Sequence, residues 1–379
     1  MSTRTSSLLS INTPAPTVSQ ESTVSYDVEE INEQIIDMEF EQHLEDADTL
    51  LGVAKGLEAI HAACTDPAQY HEPLTKTALT GLASQVGLEA LDVSTENKVT
   101  ETIERIYKTI KKAIEMAVAT VVIWVLKLAS RGEDMQERLK NRLKQFKDLE
   151  KADIQVSVDA NLEALAIEDE INLDNVVEVS RALIDLSKAL TAEGEKIAAA
   201  FTKAEDAKSI IAVEEAIDDL VENVIMKYIP MRKYGDGYES KDILPGNARL
   251  VVDFRQSQPV FFFKKEEKEY KDLSLMTTAA EAMAALEAVA GKATYANLNN
   301  HLNSAKDNGV SKTLENRISK FDSKSNDSVY AQSFMRLGAR VNTAVTVPAV
   351  KISRYITGLA DQLDRVTKGA IKATEAYNK

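Results

Sequence analysis

The stretch Ala113-Ile-Glu-Met-Ala-Val-Ala-Thr-Val-Val-Ile-Trp-Val-Leu-Lys-Leu-Ala129 decides how the chain is read. Between Glu115 and Lys127 it holds eleven uncharged residues, Met116–Leu126. As a helix these rise about 16 Å, roughly half the hydrocarbon thickness of a bilayer. The segment is too short to cross a membrane alone. Two readings stand. Met116, Val118, Val121, Val122, Trp124 and Leu126 form a central helix buried by its neighbours. Alternatively they insert conditionally into a membrane, with Lys108, Lys111, Lys112, Lys127 and Arg131 snorkelling to headgroups.

Working outward, Thr100–Ser130 begins amphipathic, with Ile103, Ile106, Tyr107, Ile110 and Ile114 on one face, and turns apolar all round. Gly132 predicts a break. Glu133–Leu149 then reads as a basic helix with Met135, Leu139, Leu143 and Phe146 along one side. On the N-terminal side, Asp27–Ala63 reads as an acidic helix, opened by Asp27 with Glu30 three residues on. Thr65-Asp66-Pro67 ends it, and a shorter helix follows over Leu74–Val86. Residues 1–26 are Ser/Thr-rich, and their longest apolar run is Leu8–Leu9. They predict a disordered tail without an export signal.

Beyond residue 150 the period changes. Ile154, Val156 and Val158 alternate as in a strand. Ala164–Ile171 predicts a second short strand or a helical turn. Asp174 opens a helix to Thr191, and a second runs to Met226, with bends expected near Gly194 and Ser209. Ile229-Pro230 through Asn247 reads as a break. Ala248–Arg255 and Pro259–Lys264 predict a β-hairpin, since Pro is tolerated at a strand start. A helix is expected over Asp272–Ala290 and an Asn-rich loop over Gly291–Gly309. Ser325–Tyr377 reads as a last helix, interrupted at Val347-Pro348. The fold class is therefore mainly α, multi-helix bundles with a small β-hairpin element in the C-terminal half. The expected divisions are 1–26, 27–150, 151–322 and 323–379, the last a helical arm.

The 379 residues carry a formal charge of −15, which disfavours a general nucleic-acid coat. The distribution says more than the total. Residues 1–100 hold 4 basic and 17 acidic residues, residues 105–147 hold 11 and 4, and residues 321–379 hold 9 and 5. An acidic head thus precedes two basic stretches. The candidate contacts for an anionic partner are Lys108, Lys111, Lys112, Arg131, Arg138, Lys140, Arg142, Lys144 and Lys147.

Catalytic signatures are missing: the chain has no P-loop, dinucleotide fingerprint, nucleophile elbow or H-E-x-x-H. His61, Cys64 and His71 are too few for a structural zinc site, because Cys64 is the single cysteine. Glu168-Asp169-Glu170 and Glu214-Glu215 with Asp218-Asp219 read as solvated carboxylates rather than a poised acid–base pair. Phe261-Phe262-Phe263 before Lys264 and Lys265 reads as core packing, since three consecutive aromatics cannot share one strand face. No catalytic residue, metal or cofactor is expected.

Several features, in this order, resemble the internal head proteins of large contractile-tailed bacteriophages. They are the Ser/Thr-rich tail, the acidic helix, Pro73–Leu82 running to Leu91-Asp-Val-Ser-Thr-Glu96, the amphipathic-to-apolar helix ending near Trp124, the basic helix, and Leu244-Pro-Gly-Asn-Ala-Arg-Leu-Val-Val252 before a hairpin. The resemblance is architectural and spans most of the chain. It implies a virion structural protein made in the host cytoplasm, packaged in the capsid with other virion proteins, and delivered or not with the genome. It also implies maturation by a protease that cuts after Glu in small-x-Glu contexts, for which Glu58, Glu89 and Glu287 qualify. Removing residues 1–89, with 3 basic and 15 acidic residues, would leave a charge of −3. That would unmask the basic helices toward genomic DNA or another anionic surface. A membrane-active, pore-forming or genome-delivering protein and an oligomerising coiled-coil scaffold or adaptor are the alternatives.

Overall fold

The computed structural model describes residues 125–158, 162–255, 258–266, 270, 273–306, 309, 310, 312, 313 and 327–377. All belong to one unit of the chain, His43–Lys379. The acidic helix, the tail, the short helix near residue 80 and Met116–Trp124 lie outside the described residues. The first described helix, α1, occupies residues 125–147. After it come β1 (Val156–Val158), a 3₁₀ turn at Glu163–Leu165, α2 (Leu173–Lys203) and α3 (Ala207–Asp218). Four strands follow: β2 (Met231–Tyr234), β3 (Gly237–Ser240), β4 (Ala248–Arg255) and β5 (Gln258–Lys265). The chain closes with β6 (Leu275–Thr277), α4 (Ala279–Ala290), α5 (Lys292–Lys306) and α6 (Asp327–Tyr377). The architecture is mainly helical with small antiparallel sheets, as the periodicity predicts.

The 51-residue helix α6 is the member against which the others pack. Its apolar row Leu337, Val341, Val350, Ile356, Leu363, Val366 and Ile371 is buried. Helix α2 lies antiparallel to it: Phe201 stacks on Phe334 with ring centroids 4.5 Å apart, and Gly194 meets Val345 further along. Pro348 does not interrupt α6. Val347, Ala349 and Val350 around it are at most 2% exposed, so packing on all sides outweighs the one lost backbone hydrogen bond.

Other expectations need correction for the same kind of reason. Gly194 and Gly132 are not breaks. Each sits inside a helix where a neighbour closes in: a β-carbon on Gly194 would stand 3.1 Å from Val345, and one on Gly132 would strike the Tyr295 ring. The break after α2 comes at Ala204–Asp206. There Asp206 accepts from the Ser209 amide and Ser209 returns a side-chain bond to the Asp206 amide. Asp272–Ala290 is not one helix. Leu275–Thr277 pairs with β1, and Thr278 caps α4 through the Glu281 amide. The Asn-rich segment is helix α5, not a loop, because Leu298, His301, Leu302 and Ala305 fall on one buried face.

The expected hairpin exists, in register from Ala248↔Lys265 to Arg255↔Gln258, but it is half of a four-stranded sheet ordered β2-β3-β4-β5. The other half, β2–β3, turns through Gly235-Asp236, with Gly235 at φ 56°. Gly237 then passes so near β4 that a β-carbon would lie 2.1 Å from the Val252 carbonyl oxygen. Phe263 stacks on Tyr355 of α6 at 4.2 Å, and the Tyr355 hydroxyl donates to the Pro245 carbonyl at 2.7 Å.

His301 sits in this core, 1% exposed, with Nδ1 2.5 Å from the Ser187 hydroxyl and Nε2 without a partner among the described residues. Burial pulls its pKa down to about 3. An unfolded chain protonates it near 6.5, so the fold loses stability as pH falls through that value toward 3. Between pH 6.5 and 5, urea unfolding should show a loss of about 1.5 kcal/mol that the variant His301→Gln does not show. At neutral pH, Gly237→Ala should cost about 1–3 kcal/mol in the same assay, by pushing β3 off β4.

Candidate functional site: the basic helix and its seam with the C-terminal helix

Helix α1 buries Val125, Leu128, Met135 and Leu139. Leu126, the one expected membrane-helix residue among the described positions, is 56% exposed. The helix is seated on the α4–α5 junction, where Gln136 Nε2 donates to the Ala290 carbonyl and the Tyr295 hydroxyl reaches Glu133 at 3.5 Å. Along its other edge it meets α6.

Six of the expected anion-contacting cations lie on α1, and the structure divides them by residue type. The arginines face α6. Arg138 lies 2.7 Å from the Asp361 carboxylate, and Arg131 approaches the same group at 3.9 Å. Arg142 grips Asp364 with two donors, Nε at 2.7 Å and Nη2 at 3.2 Å, and gives Nη1 to Gln145 at 2.9 Å. The planar fork suits this two-point contact, which a lysine could not make. Lys140, Lys144 and Lys147 are exposed. Lys108, Lys111 and Lys112 lie outside the described residues.

A second lock of opposite polarity holds the other end of α6. Arg336 reaches Glu214 at 3.1 Å, and Arg340 spans Glu214 at 3.3 Å and Asp218 at 2.7 Å. Glu214 and Asp218 are one helical turn apart on α3, so both carboxylates reach one partner helix. Between the locks, burial lowers Lys351 to about 8 and Arg354 to about 10, so both remain cations at neutral pH. The pairing of Asp361 and Asp364 with arginines some 220 positions earlier is what the sequence analysis missed. The only sequence-level signal is two acids, three residues apart, in the middle of a helix whose other charges between Arg336 and Lys372 are all basic.

The other expected sites fall as follows. Glu168-Asp169-Glu170 form an exposed turn, with Glu168 at φ 58° and its amide donating to Asn247 Oδ1 at 2.6 Å. Phe261 is 2% exposed, and Phe263 packs on α6 as already described. Glu287 stands on α4 beside buried Ala285 and Leu286. Glu58, Glu89, His61, Cys64 and His71 lie outside the described residues. A cavity of about 410 Å³ beside the start of α2 is lined in part by Asp174, Arg181, Met276 and Glu281. Its carboxylate Glu281 is committed to the cap of α4: the Thr278 amide and the Thr277 and Thr278 hydroxyls hold it below the usual carboxylate range. Among the described residues, no group of three His, Cys, Asp or Glu could hold a metal, and no helix is long and apolar enough to cross a membrane.

The Arg142–Asp364 pair has 13% and 7% of its side chains exposed, so removing one partner leaves a buried charge. Arg142→Ala should therefore cost about 3 kcal/mol in urea unfolding, and Arg142→Asp with Asp364→Arg should recover part of that loss. Arg138→Ala, whose side chain is 42% exposed, should cost under about 1 kcal/mol.

Neither the curated proteins nor the solved structures contain a match to this chain. One family model does match, over residues 27–378, so its span takes in α1, both locks and the end of α6. The chain belongs to the phiKZ-like phage internal head proteins, which places it inside the head of the virion.

Proposed function

We propose that this internal head protein is a non-catalytic structural component that acts by packing a rigid helical body against its neighbours, with charge setting which neighbours fit. The observation that carries this reading is the use made of ionisable groups. The two carboxylate clusters that read as solvated resolve into an exposed turn and, for Glu214 and Asp218, an ion-paired lock. The one carboxylate in the cavity with a shifted pKa caps a helix. Burial, with Glu214 beside it, raises the Asp218 carboxyl, but Arg336 and Arg340 hold both carboxylates, so neither stands free to take or deliver a proton as hydrolytic chemistry requires.

Two features favour this reading over a coiled-coil scaffold. The apolar row of α6 is consumed inside its own chain. Its partner helices α2, α4 and α5 also differ in length, so among the described residues no repeating seam is left for a second chain.

Maturation fits the same picture. Cleavage after Glu287 would require α4 to open, because Leu286 is fully buried and a protease needs extended backbone. Glu58 and Glu89 are therefore the preferred sites. Loss of residues 1–89 removes most of the chain's −15 charge and leaves −3, which lessens repulsion from other polyanions in the head.

Intact-mass measurement of proteins released from purified heads tests both parts. The expected result is a shortened species beginning after Glu58 or Glu89, with α4 uncut. A sole 41.7 kDa species would end the maturation proposal, and absence from heads would end the structural role.

A further inference from the structure

Helix α4 runs against α1, since Gln136 reaches the Ala290 carbonyl and the Ala280 amide donates to the Ala152 carbonyl just past the end of α1. Helix α1 runs with α6, since Arg138 meets Asp361 and Arg142 meets Asp364. Helix α6 in turn runs against α2. Helices α2 and α4 are therefore parallel, with their caps, Asn172 and Thr278, at the same end. The cavity of about 410 Å³ lies between their first turns, with β6 alongside. Its two helical walls are rows at three- and four-residue spacing: Asp174, Val177 and Arg181 on α2, and Glu281, Ala284, Ala285 and Ala288 on α4. Each row rises about 10 Å, so the cavity is a straight groove two helical turns long.

The lining is apolar apart from its charged ends. Met276 lines the groove yet is 60% exposed, a large apolar side chain left in water by its own chain. Methionine adapts its shape to an incoming surface. The α4 wall is three alanines, small enough for the backbone of a third helix to come within about 8 Å. The charge around this lining is acidic. Asp174 and Glu281 stand in it, and exposed Glu170, Glu178 and Glu287 each adjoin a lining residue, Ile171, Val177 and Ala288. Arg181 is the single cation among the lining residues. Glu178, three residues before it, is not paired with it, and none of these six charges is in an ion pair among the described residues. A nucleic acid or an anionic amphiphile is repelled here, and a bare ion gains nothing from the apolar walls. The matching surface is a helix with apolar side chains at i, i+3, i+4 and i+7 and Lys or Arg along their flanks. Arg181, two turns from the helix starts, would face the acidic first turn that helices commonly carry.

We propose that the groove between α2 and α4 docks a basic amphipathic helix of another protein of the head. This rests on the reading of the chain as a body that packs against its neighbours, and it names the surface and the chemistry of one such contact.

The test is a titration of the full chain, labelled with ¹³C at its methionine methyls, by a synthetic Leu/Lys peptide with leucines at that helical spacing. The Met276 signal, assigned through Met276→Leu, reads the groove itself and so separates docking there from capture of the peptide by acidic residues elsewhere. It should shift and saturate at about 0.1 M salt. A peptide of the same composition with leucine and lysine in strict alternation, which has no apolar helical face, should leave it in place. Ala284→Trp, which fills the groove from an exposed position, and the double variant E178K/E287K should each weaken the response at least about tenfold with unchanged melting temperature. The variant E137K/E215K, on α1 and α3, should respond as wild type. The proposal falls if the Met276 signal does not move, if the alternating peptide moves it equally, if the groove variants match wild type, or if E137K/E215K weakens the response as they do. An equal shift with spermidine would give the groove to small polycations, and one with decanoate to anionic amphiphiles. A dimer of the chain alone that Ala284→Trp dissolves would give it to a second copy. Each of these three results overturns the chosen occupant. A failure here with the protein still found in heads would leave the structural role standing.

Discussion

The described structure depends on taking a 51-residue helix that carries both signs of charge out of water. Apolar burial supplies the driving force along α6, but it is non-directional and would tolerate several alignments. The charges remove that freedom. Near its start, α6 offers arginines to the carboxylates of α3; near its end it offers carboxylates to the arginines of α1. A slip of one turn, about 5.4 Å, would leave Arg340 and Asp364, each at most 6% exposed, without partners. Buried pairs add little net stability over apolar contacts, yet an unmatched buried charge is costly. The reversed polarity also penalises docking α6 end for end, because each lock would then face its own sign.

The sheet is attached to this spine by a different means. Only one face of β5 reaches α6, and it does so with rings: Phe263 lies flat on Tyr355, and Phe261 fills the space beneath. Tyr355 also ties the β3–β4 connection to the helix through the Pro245 carbonyl, with burial pushing its phenol well above the ordinary range. Arg249 closes the other side of that connection, donating to the carbonyls of Ser240 and Lys241 and pairing with Glu266. The segment that looks like a break between Ile229 and Asn247 is thus ordered by contacts with residues far ahead in the chain.

How much could be read beforehand follows from how local each cause is. The β4–β5 hairpin was legible because alternation and β-branched residues act within one strand. The β2–β3 hairpin was missed although Tyr234-Gly-Asp-Gly237 marks its turn, because β2 has one buried residue and so no alternation to count. Glycine misled twice. In α1 and α2 it makes room for Tyr295 and Val345, and nothing in the neighbouring sequence shows that a side chain 150 residues away will need that room. The Asn-rich helix α5 has poor propensity, and tertiary burial of Leu298 and Leu302 overrides it. The locks followed the same rule: Glu214 and Asp218 look solvated until the arginines of α6 are placed beside them.

The basic block shows the limit most clearly. A charge count treats Arg138 and Lys140 alike, and the count alone assigns both to an outside partner. Geometry separates them, since a guanidinium can satisfy a half-buried carboxylate from a fixed plane, while an ammonium on a flexible stem keeps more of its hydration. Arginine is thereby drawn into seams and lysine left at the rim. In α1 the division is complete among the described cations that were expected to meet a partner: three arginines inward, three lysines outward. The net charge of residues 105–147 therefore overstates what that stretch can present to an anion.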